Sequence, residues 1–402
     1  MAMTMAAAMA IRRDWMTDPC MRFALATLSP LPFLVLGALF GGAFSLLALV
    51  WICGIGLLAD TVIAWLAALR GRALAEPGRC EPREAATLGR ADLLSVVLAG
   101  LHFVLLGLAL TALSGATGLG FFSWILTFLG FGLWFGQVSN ANAHELIHRA
   151  DRRLHRLGQW VFTSLLFGHH CSAHRLVHHR FVATPDDPST AEKGESFYAF
   201  AARSWPGAFV AGYEMEAALR RGKPLWRARL ENPYLVYLAG AAGFVVLVGA
   251  VFGLDGLVAY LLLAGYAQLQ LLLSDYVQHY GLLRRPLPDG GYEPVGPRHS
   301  WDAPHPLSAL MMLNAPRHAD HHANPSRPYP DLVLSPGGQA PLLPWPLPVM
   351  AVLALVPKHW RRIMDRRLAA LAPPVRPAPA PVRHRAPRPK LVAGTDRARA
   401  GG

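Results

Sequence analysis

Residues 118–148 read GLGFFSWILTFLGFGLWFGQVSNANAHELIH, an apolar run that ends on two histidines one helical turn apart, His144 and His148. A hydrocarbon core takes about 20 apolar residues to cross. If the helix continues past the membrane surface, both imidazoles stack on one face. Three further clusters lie beyond apolar runs in the same way: His174, His178 and His179, then His279, then His318, His321 and His322. Neutral imidazole is the commonest protein metal ligand and suits iron, zinc, copper and nickel. A structural zinc takes about four ligands and a catalytic one about three, so nine clustered imidazoles imply two metals held by roughly four or five each. The bland alternative is a set of functionless histidines, but ionisable groups at a membrane edge and at ligand spacing are rare without function.

Composition sets the class. The 402 residues are 53% hydrophobic and 16% charged, with a mean hydropathy of +0.29, whereas soluble domains carry about 25% charged residues. A polytopic membrane protein follows. The 38 Lys and Arg against 25 Asp and Glu are spread over loops beside apolar spans, the pattern of a cytoplasmic membrane face and not of a nucleic-acid surface, so no nucleic-acid partner is expected. The four cysteines, Cys20, Cys53, Cys80 and Cys171, form no CxxC pair, and Cys53 sits inside an apolar run. Neither a disulfide framework nor an iron–sulfur domain is encoded, so any electron donor must be a separate protein.

Six segments are long enough to span: approximately 22–44, 46–67, 92–114, 118–139, 235–253 and 256–275. The connections after the first, third and fifth lack Lys and Arg, whereas 68–91 carries Arg70, Arg72, Arg79, Arg83 and Arg90, and 149–231 is also Arg-rich. By the positive-inside rule both termini and all nine histidines are expected in the cytoplasm, in a multi-pass protein of the inner (plasma) membrane. A seventh apolar stretch, Pro341 to Val356, is interrupted by Pro344, Pro346 and Pro348 and is expected to pack against the membrane surface. Residues 1–21 read as a cytoplasmic leader and 22–365 as the membrane domain. From 366 the chain runs into a Pro/Arg-rich tail with too little to bury, expected to be disordered.

His144-Glu145-Leu146-Ile147-His148 also fits the HExxH pattern of zinc proteases, with Glu145 as general base. A zincin needs one more ligand, which leaves most of the other histidines surplus. In the third box Asn314 is a candidate helix N-cap, Pro316 falls in the first turn and Pro325 stops the helix. Its three histidines then share a face, with Asp320 placed to hold a ligand's distal N–H. His169 and His170 lie near the second box as candidate supporting donors but do not improve the ligand set. His102 and Asp60 fall within spans, as functional groups or as a mutually bonded pair. Gln268 and Gln270 either line a channel or join helices. Aromatic and Leu positions of the spans read as lipid-facing or packing residues.

HELIHR at 144–149, GHHCSAHRLVHHRFVATPDDPSTAEKGESF at 168–197, DYVQHYGLLR at 275–284 and NAPRHADHHANPSRPYPDL at 314–332 resemble the signature regions of the integral-membrane alkane 1-monooxygenase and xylene monooxygenase family, within the membrane fatty acid desaturase superfamily. The resemblance covers about residues 20–365. Histidine boxes alone indicate the superfamily; the HYG element at His279–Gly281 and the HHANP run are closer to the hydroxylase branch. It implies an all-α membrane protein with six transmembrane helices and a cytoplasmic polyhistidine di-iron cap, and ligand roles for the nine histidines. It also implies two non-haem iron ions, O₂ as co-substrate, and electrons from a rubredoxin or ferredoxin-type donor with its reductase. The implied reaction is hydroxylation of a terminal methyl group of an apolar substrate that enters from the lipid bilayer.

Within that resemblance the alkane-oxidising branch often has Glu where this chain has Ala173 and Gln278, Asn where it has Asp275 and Lys where it has Arg149. A medium-chain alkane is still the expected substrate; because these positions depart from that branch, benzylic methyl hydroxylation of the xylene type stays open beside it, with fatty acid desaturation as a further alternative. A metal-binding transporter or sensor is the non-enzymatic one. Arg152, Arg153, Arg156, Arg175 and Arg180 surround the first two boxes, where they either dock an acidic electron-transfer partner or sit on lipid headgroups. The topology has a direct test. Cysteines introduced beside Asp255 and beside Gly290 are expected to label from opposite sides of the membrane, and labelling from the same side would remove the six-span arrangement.

Overall fold

The computed structural model describes residues 19–70 and 85–371. The leader up to residue 18, the loop residues Arg72, Arg79, Cys80 and Arg83, and the tail from residue 372 lie outside the described residues. The described chain is helical, and five helices in it are long and apolar enough to cross a membrane. They are α1 (Cys20–Phe40), α2 (Gly42–Leu69), α3 (Gly89–Leu113), α4 (Phe121–Ile147) and α7 (Tyr234–His279). Their apolar residues extend around the whole helix, which suits lipid on one side and neighbouring helices on the other.

At 46 residues, α7 would measure about 69 Å as one rod, twice a hydrocarbon core. It is two helices joined at Gly253, whose φ of 66° and ψ of −163° are not helical. Gly41, between α1 and α2, adopts nearly the same turn with φ 64° and ψ −149°. Only glycine occupies that region at ease. At Gly41 a Cβ would also lie 2.9 Å from Ser123 Oγ, the atom that accepts the Gly42 N–H at 2.8 Å.

Polar side chains tie the spans together where the histidines need a fixed frame. Asn140 on α4 donates to the Ala267 carbonyl on α7 at 2.8 Å. Gln270 Nε2 returns the link to Gly132 on α4 at 2.8 Å, and Gln268 Nε2 donates to Leu165 at 2.7 Å. His102 on α3 bridges Ser139 Oγ at 2.8 Å and Ser164 Oγ at 2.7 Å. The expected alternative of a His102–Asp60 pair is not what forms. Asp60 is fully buried, and its two carboxylate oxygens accept the N–H groups of Leu307 and Ser308 at 2.8 and 2.9 Å. It thereby caps the short helix α8 (Pro306–Met311), a contact about 247 residues away in sequence.

The non-spanning elements form a cap. Helix α5 (Arg152–Ser164), started by Asp151 accepting the Arg153 N–H, packs on α4. Helix α6 (Phe197–Ala218) starts at Ser196. The second box lies between them on a π-helical stretch, Ala173–His178. Helix α9 (His318–Ala323) carries the third box. Asn314 is not its cap: the residue takes a left-handed φ of 57° and donates to Tyr329 O at 2.9 Å, while Asp302 Oδ1 accepts the Ala319 N–H at 2.8 Å. The seventh apolar stretch yields α10 (Leu347–Ala354), whose eight residues are too few to span. It leads into α11 (Pro357–Leu371), whose Trp360 and Met364 are buried while Lys358, Arg361, Arg362, Arg366 and Arg367 are exposed.

Asp60→Ala would leave two N–H groups unpaired, one buried and one partly buried, so it is expected to destabilise the protein by about 1–3 kcal/mol. Asp60→Asn, which keeps an acceptor, should lose less. Thermal inactivation of the two purified variants checks this; equal melting of Asp60→Ala and the parent chain would show the cap to be dispensable.

Candidate metal centre

All nine sequence-selected histidines converge beneath the spans and separate into two groups. His144, His148, His174, His179 and His321 form one, and His178, His279, His318 and His322 the other; within each, the candidate ligand atoms lie within 4.8 Å of one another. The partition does not follow the boxes. Spacing on an α-helix favours i and i+4 together and puts i+5 about 140° around, which would join His174 with His178. The π winding at Ala173–His178 instead brings His179 Nε2 to 2.9 Å from His174 Nε2, and His178 turns to the other group. The third box divides too, His321 reaching His179 at 3.0 Å and His318 meeting His279 at 2.9 Å and His322 at 3.1 Å.

These nitrogens cannot satisfy one another. His174 Nε2 lies 2.8 Å from His144 Nε2 and 2.9 Å from His179 Nε2, and His179 Nε2 also contacts His321. A neutral ring nitrogen either carries a proton or accepts one, so a chain of such contacts leaves lone pairs facing each other. Two more, His148 Nε2 and His178 Nε2, are buried without a hydrogen-bond partner, one in each group. A cation resolves all of this. Nitrogens bound at about 2.1 Å lie about 3.0 Å apart at right angles and about 3.4 Å apart in a tetrahedron, and the observed contacts of 2.8–3.1 Å fall around the shorter of these, close enough for the donor set to fit a metal centre.

Electrostatics points the same way. Burial, together with repulsion from neighbouring imidazoles, holds His174, His179, His318, His321 and His322 well below the usual histidine range, so they stay neutral and ready to ligate. His178 is the exception. Burial disfavours its charged form, but Asp187 overrides this and raises it, while Asp187 is itself lowered despite its burial by the same contact.

Asp187 is a supporting residue that the sequence reading missed. Its Oδ2 lies 2.8 Å from His178 Nδ1 and also accepts from Thr190 Oγ1 at 2.7 Å, while Oδ1 accepts the Ser189 N–H at 3.0 Å. The signal was the Asp-Pro-Ser-Thr run at 187–190, an acidic residue followed by hydroxyls that folds back on itself. Asp320, expected in this role, serves elsewhere: it pairs with Arg327 at 2.5 Å and accepts from Asn324 Nδ2 at 2.9 Å and Val333 N at 3.1 Å, fixing the loop after the third box. Glu145 is likewise engaged away from a protease role, with Arg149 at 3.0 Å and the Tyr329 N–H at 3.2 Å.

A cavity of about 580 Å³ runs from between the spans to both groups, touching His144, His174 and His318. Its volume lies within the usual range for small-molecule sites. Three π-helical stretches border it: Val50–Ile55 through Ile52 and Cys53, Phe135–Ser139 through Gly136 and Gln137, and Ala173–His178 through His174. Such stretches recur at functional sites because the extra residue per turn re-aims side chains. Leu133, Tyr266 and Leu271 line the cavity, so some span positions read as packing residues form its wall, and Gln270 both lines it and joins helices. Helix α10 closes one side. Its flank supplies Val352 and Leu355, which line the cavity while remaining 67% and 39% exposed, so the opening is apolar and lies at the outer face of the helix bundle.

The sequence from 119 to 334, more than half of the chain, matches the model of the fatty acid desaturase family. Among curated proteins the chain is similar to an alkane 1-monooxygenase of Ectopseudomonas oleovorans, at 36% identity over 60% of this chain and 59% of that protein. It is also similar to alkane 1-monooxygenase 1 of Alcanivorax borkumensis, at 35% over 62% and 61%. The hydroxylase component of a xylene/toluene monooxygenase of Pseudomonas putida is more distant, at 25% over 54% and 57%. The chain thus spans about three fifths of the length of the alkane monooxygenases it matches.

Asp187→Asn is expected to lower metal affinity about 10- to 100-fold by releasing the His178 ring, with membrane insertion intact. Metal content after graded chelation measures it, and retention equal to that of the parent chain would deny Asp187 this role.

Proposed function

The chain belongs to the fatty acid desaturase family, and from that premise we propose that it is a non-haem di-iron monooxygenase that hydroxylates a terminal methyl group, with a medium-chain alkane as substrate. The observation that carries the reading is the apolar cavity ending on two groups of converging imidazoles. The names of its relatives, alkane 1-monooxygenases at 35 and 36% identity, support the substrate class. O₂ is the co-substrate, and electrons come from a separate rubredoxin or ferredoxin-type donor with its reductase.

The nine histidines are the proposed ligands, with one iron held by His144, His148, His174, His179 and His321 and the other by His178, His279, His318 and His322. Bound iron would supply the redox chemistry with O₂ that cleavage of an unactivated C–H bond requires. The chain contributes position and exclusion. Asp187 fixes the His178 ring by accepting a hydrogen bond from its Nδ1–H, and the span walls hold the hydrocarbon end-on against the cluster. The apolar wall keeps bulk water away from the reacting end.

The proposed topology has six spans, with α7 turning back at Gly253, in the inner membrane with both termini cytoplasmic. Its support is the turn shared with Gly41 and the Arg-rich loops. The exposed cations of α11 then sit at the headgroups, and the apolar opening beside α10 faces lipid, the phase in which an alkane dissolves. Benzylic methyl hydroxylation stands as a second reading because a xylene/toluene hydroxylase component is among the relatives.

Purified protein with a competent donor, its reductase and ¹⁸O₂ is expected to convert octane to labelled 1-octanol, to contain about two irons per chain, and to lose turnover when His144 or His178 becomes Ala. A desaturated product without oxygen would replace the hydroxylase by a desaturase. Benzylic alcohol from xylene with no product from octane would move the substrate to the alkylaromatics. Absence of O₂ consumption with every donor, in iron-loaded protein, would leave a metal-binding role.

A further inference from the structure

His170 lines the cavity beside His144 and His174 but belongs to neither metal group. Its ring plane is fixed by packing: it stacks on Phe167 at 5.3 Å, meets the edge of Phe162 at 4.9 Å and lies 5.0 Å from the His174 ring. The residue is 6% exposed, and among the described residues no side-chain hydrogen bond reaches its ring nitrogens. Several other polar groups on the wall are committed: Asn140 to Ala267, Gln270 to Gly132, and Gln278 to Ser274 and Ala315. Gln137 is uncommitted too, but it lies seven residues before His144, about 10 Å along the helix. A neutral imidazole offers one donor and one acceptor, and leaving them unpaired in an apolar enclosure costs free energy.

We propose that His170 binds the hydroxyl of a primary alcohol at the histidine end of the cavity, and so holds the product after oxygen insertion. The proposal rests on the hydroxylase reading for the identity of that alcohol. The hydrocarbon substrate has no group that can use the imidazole, whereas the product acquires one on the carbon nearest the cluster. One wall residue thereby discriminates product from substrate. It makes release of the alcohol slower than release of an equally long alkane, since affinity differences of this kind lie mainly in the dissociation rate.

Equilibrium binding of radiolabelled 1-octanol and octane to the purified protein in nanodiscs tests this without turnover. His170→Phe is expected to weaken 1-octanol about five- to tenfold, the worth of one hydrogen bond, and to leave octane unchanged. His170→Gln should keep most of the preference, and His170→Leu supplies a second apolar variant should the Phe protein fail to insert. Equal weakening of both ligands would assign His170 a packing role only, and unchanged binding of both would place the hydroxyl elsewhere; either result overturns the proposal. Loss of the alcohol preference in the variants, with no hydroxylation of octane by the parent chain, would leave this site standing and sink the monooxygenase reading instead.

Discussion

Nine imidazoles gathered where the apolar helices end present a problem that most of the surrounding structure answers. Their nitrogens approach to 2.8–3.1 Å, too many in one place for hydrogen bonds among themselves. Burial keeps those of the second and third boxes other than His178 uncharged, which removes one repulsion and exposes another, that between lone pairs. The arrangement makes sense when a cation sits among them. The frame has to resist the repulsion until then, and polar links between α3, α4, α5 and α7 provide the resistance, each placed within a few turns of a ligand.

Support for the two groups is uneven in a way that matters chemically. In the four-histidine group, Asp187 orients His178 and the His299 carbonyl lies 3.4 Å from His279 Nδ1. His318 Nδ1 and His322 Nδ1 have no such partner among the described residues. The five-histidine group lies closer to the surface, with His144, His148 and His179 only partly buried. Arg175 is exposed beside it and acts on His148 and His179 through its charge. The two groups therefore differ in solvation and in ring support, which are the levers by which a protein makes paired metals unequal.

The cavity links this polar cluster to the outer face of the helix bundle. Its wall combines three π-helical stretches with α10, so the space arises from local under-winding of helices as well as from the gap between them. Helix α10 is short and apolar, and its continuation α11 buries Trp360 and Met364 while turning arginines outward. Tyr280, which follows the last residue of α7, donates to Asp365 on α11 at 2.7 Å. The helix that continues from α10 is thus tied to the end of the one that carries His279.

The amino-acid sequence by itself determined the membrane class, the helical content, the identity of the nine converging histidines and the family resemblance, because each depends on composition or on spacing within one segment. It also placed a break between apolar runs at residues 254–255, next to the Gly253 turn. Tertiary structure decided which histidine joins which group. Box spacing presumes an α-helix, and the π turn at Ala173–His178 changes the answer by rotating His179 and not His178 toward His174. Asp187 in place of Asp320, Asp302 in place of Asn314, and Asp60 capping a helix more than 240 residues away were decided there too. A carboxylate has no preferred partner within its own segment; it is satisfied by whichever N–H groups the packed chain leaves unpaired, and those are known only once the helices have been brought together.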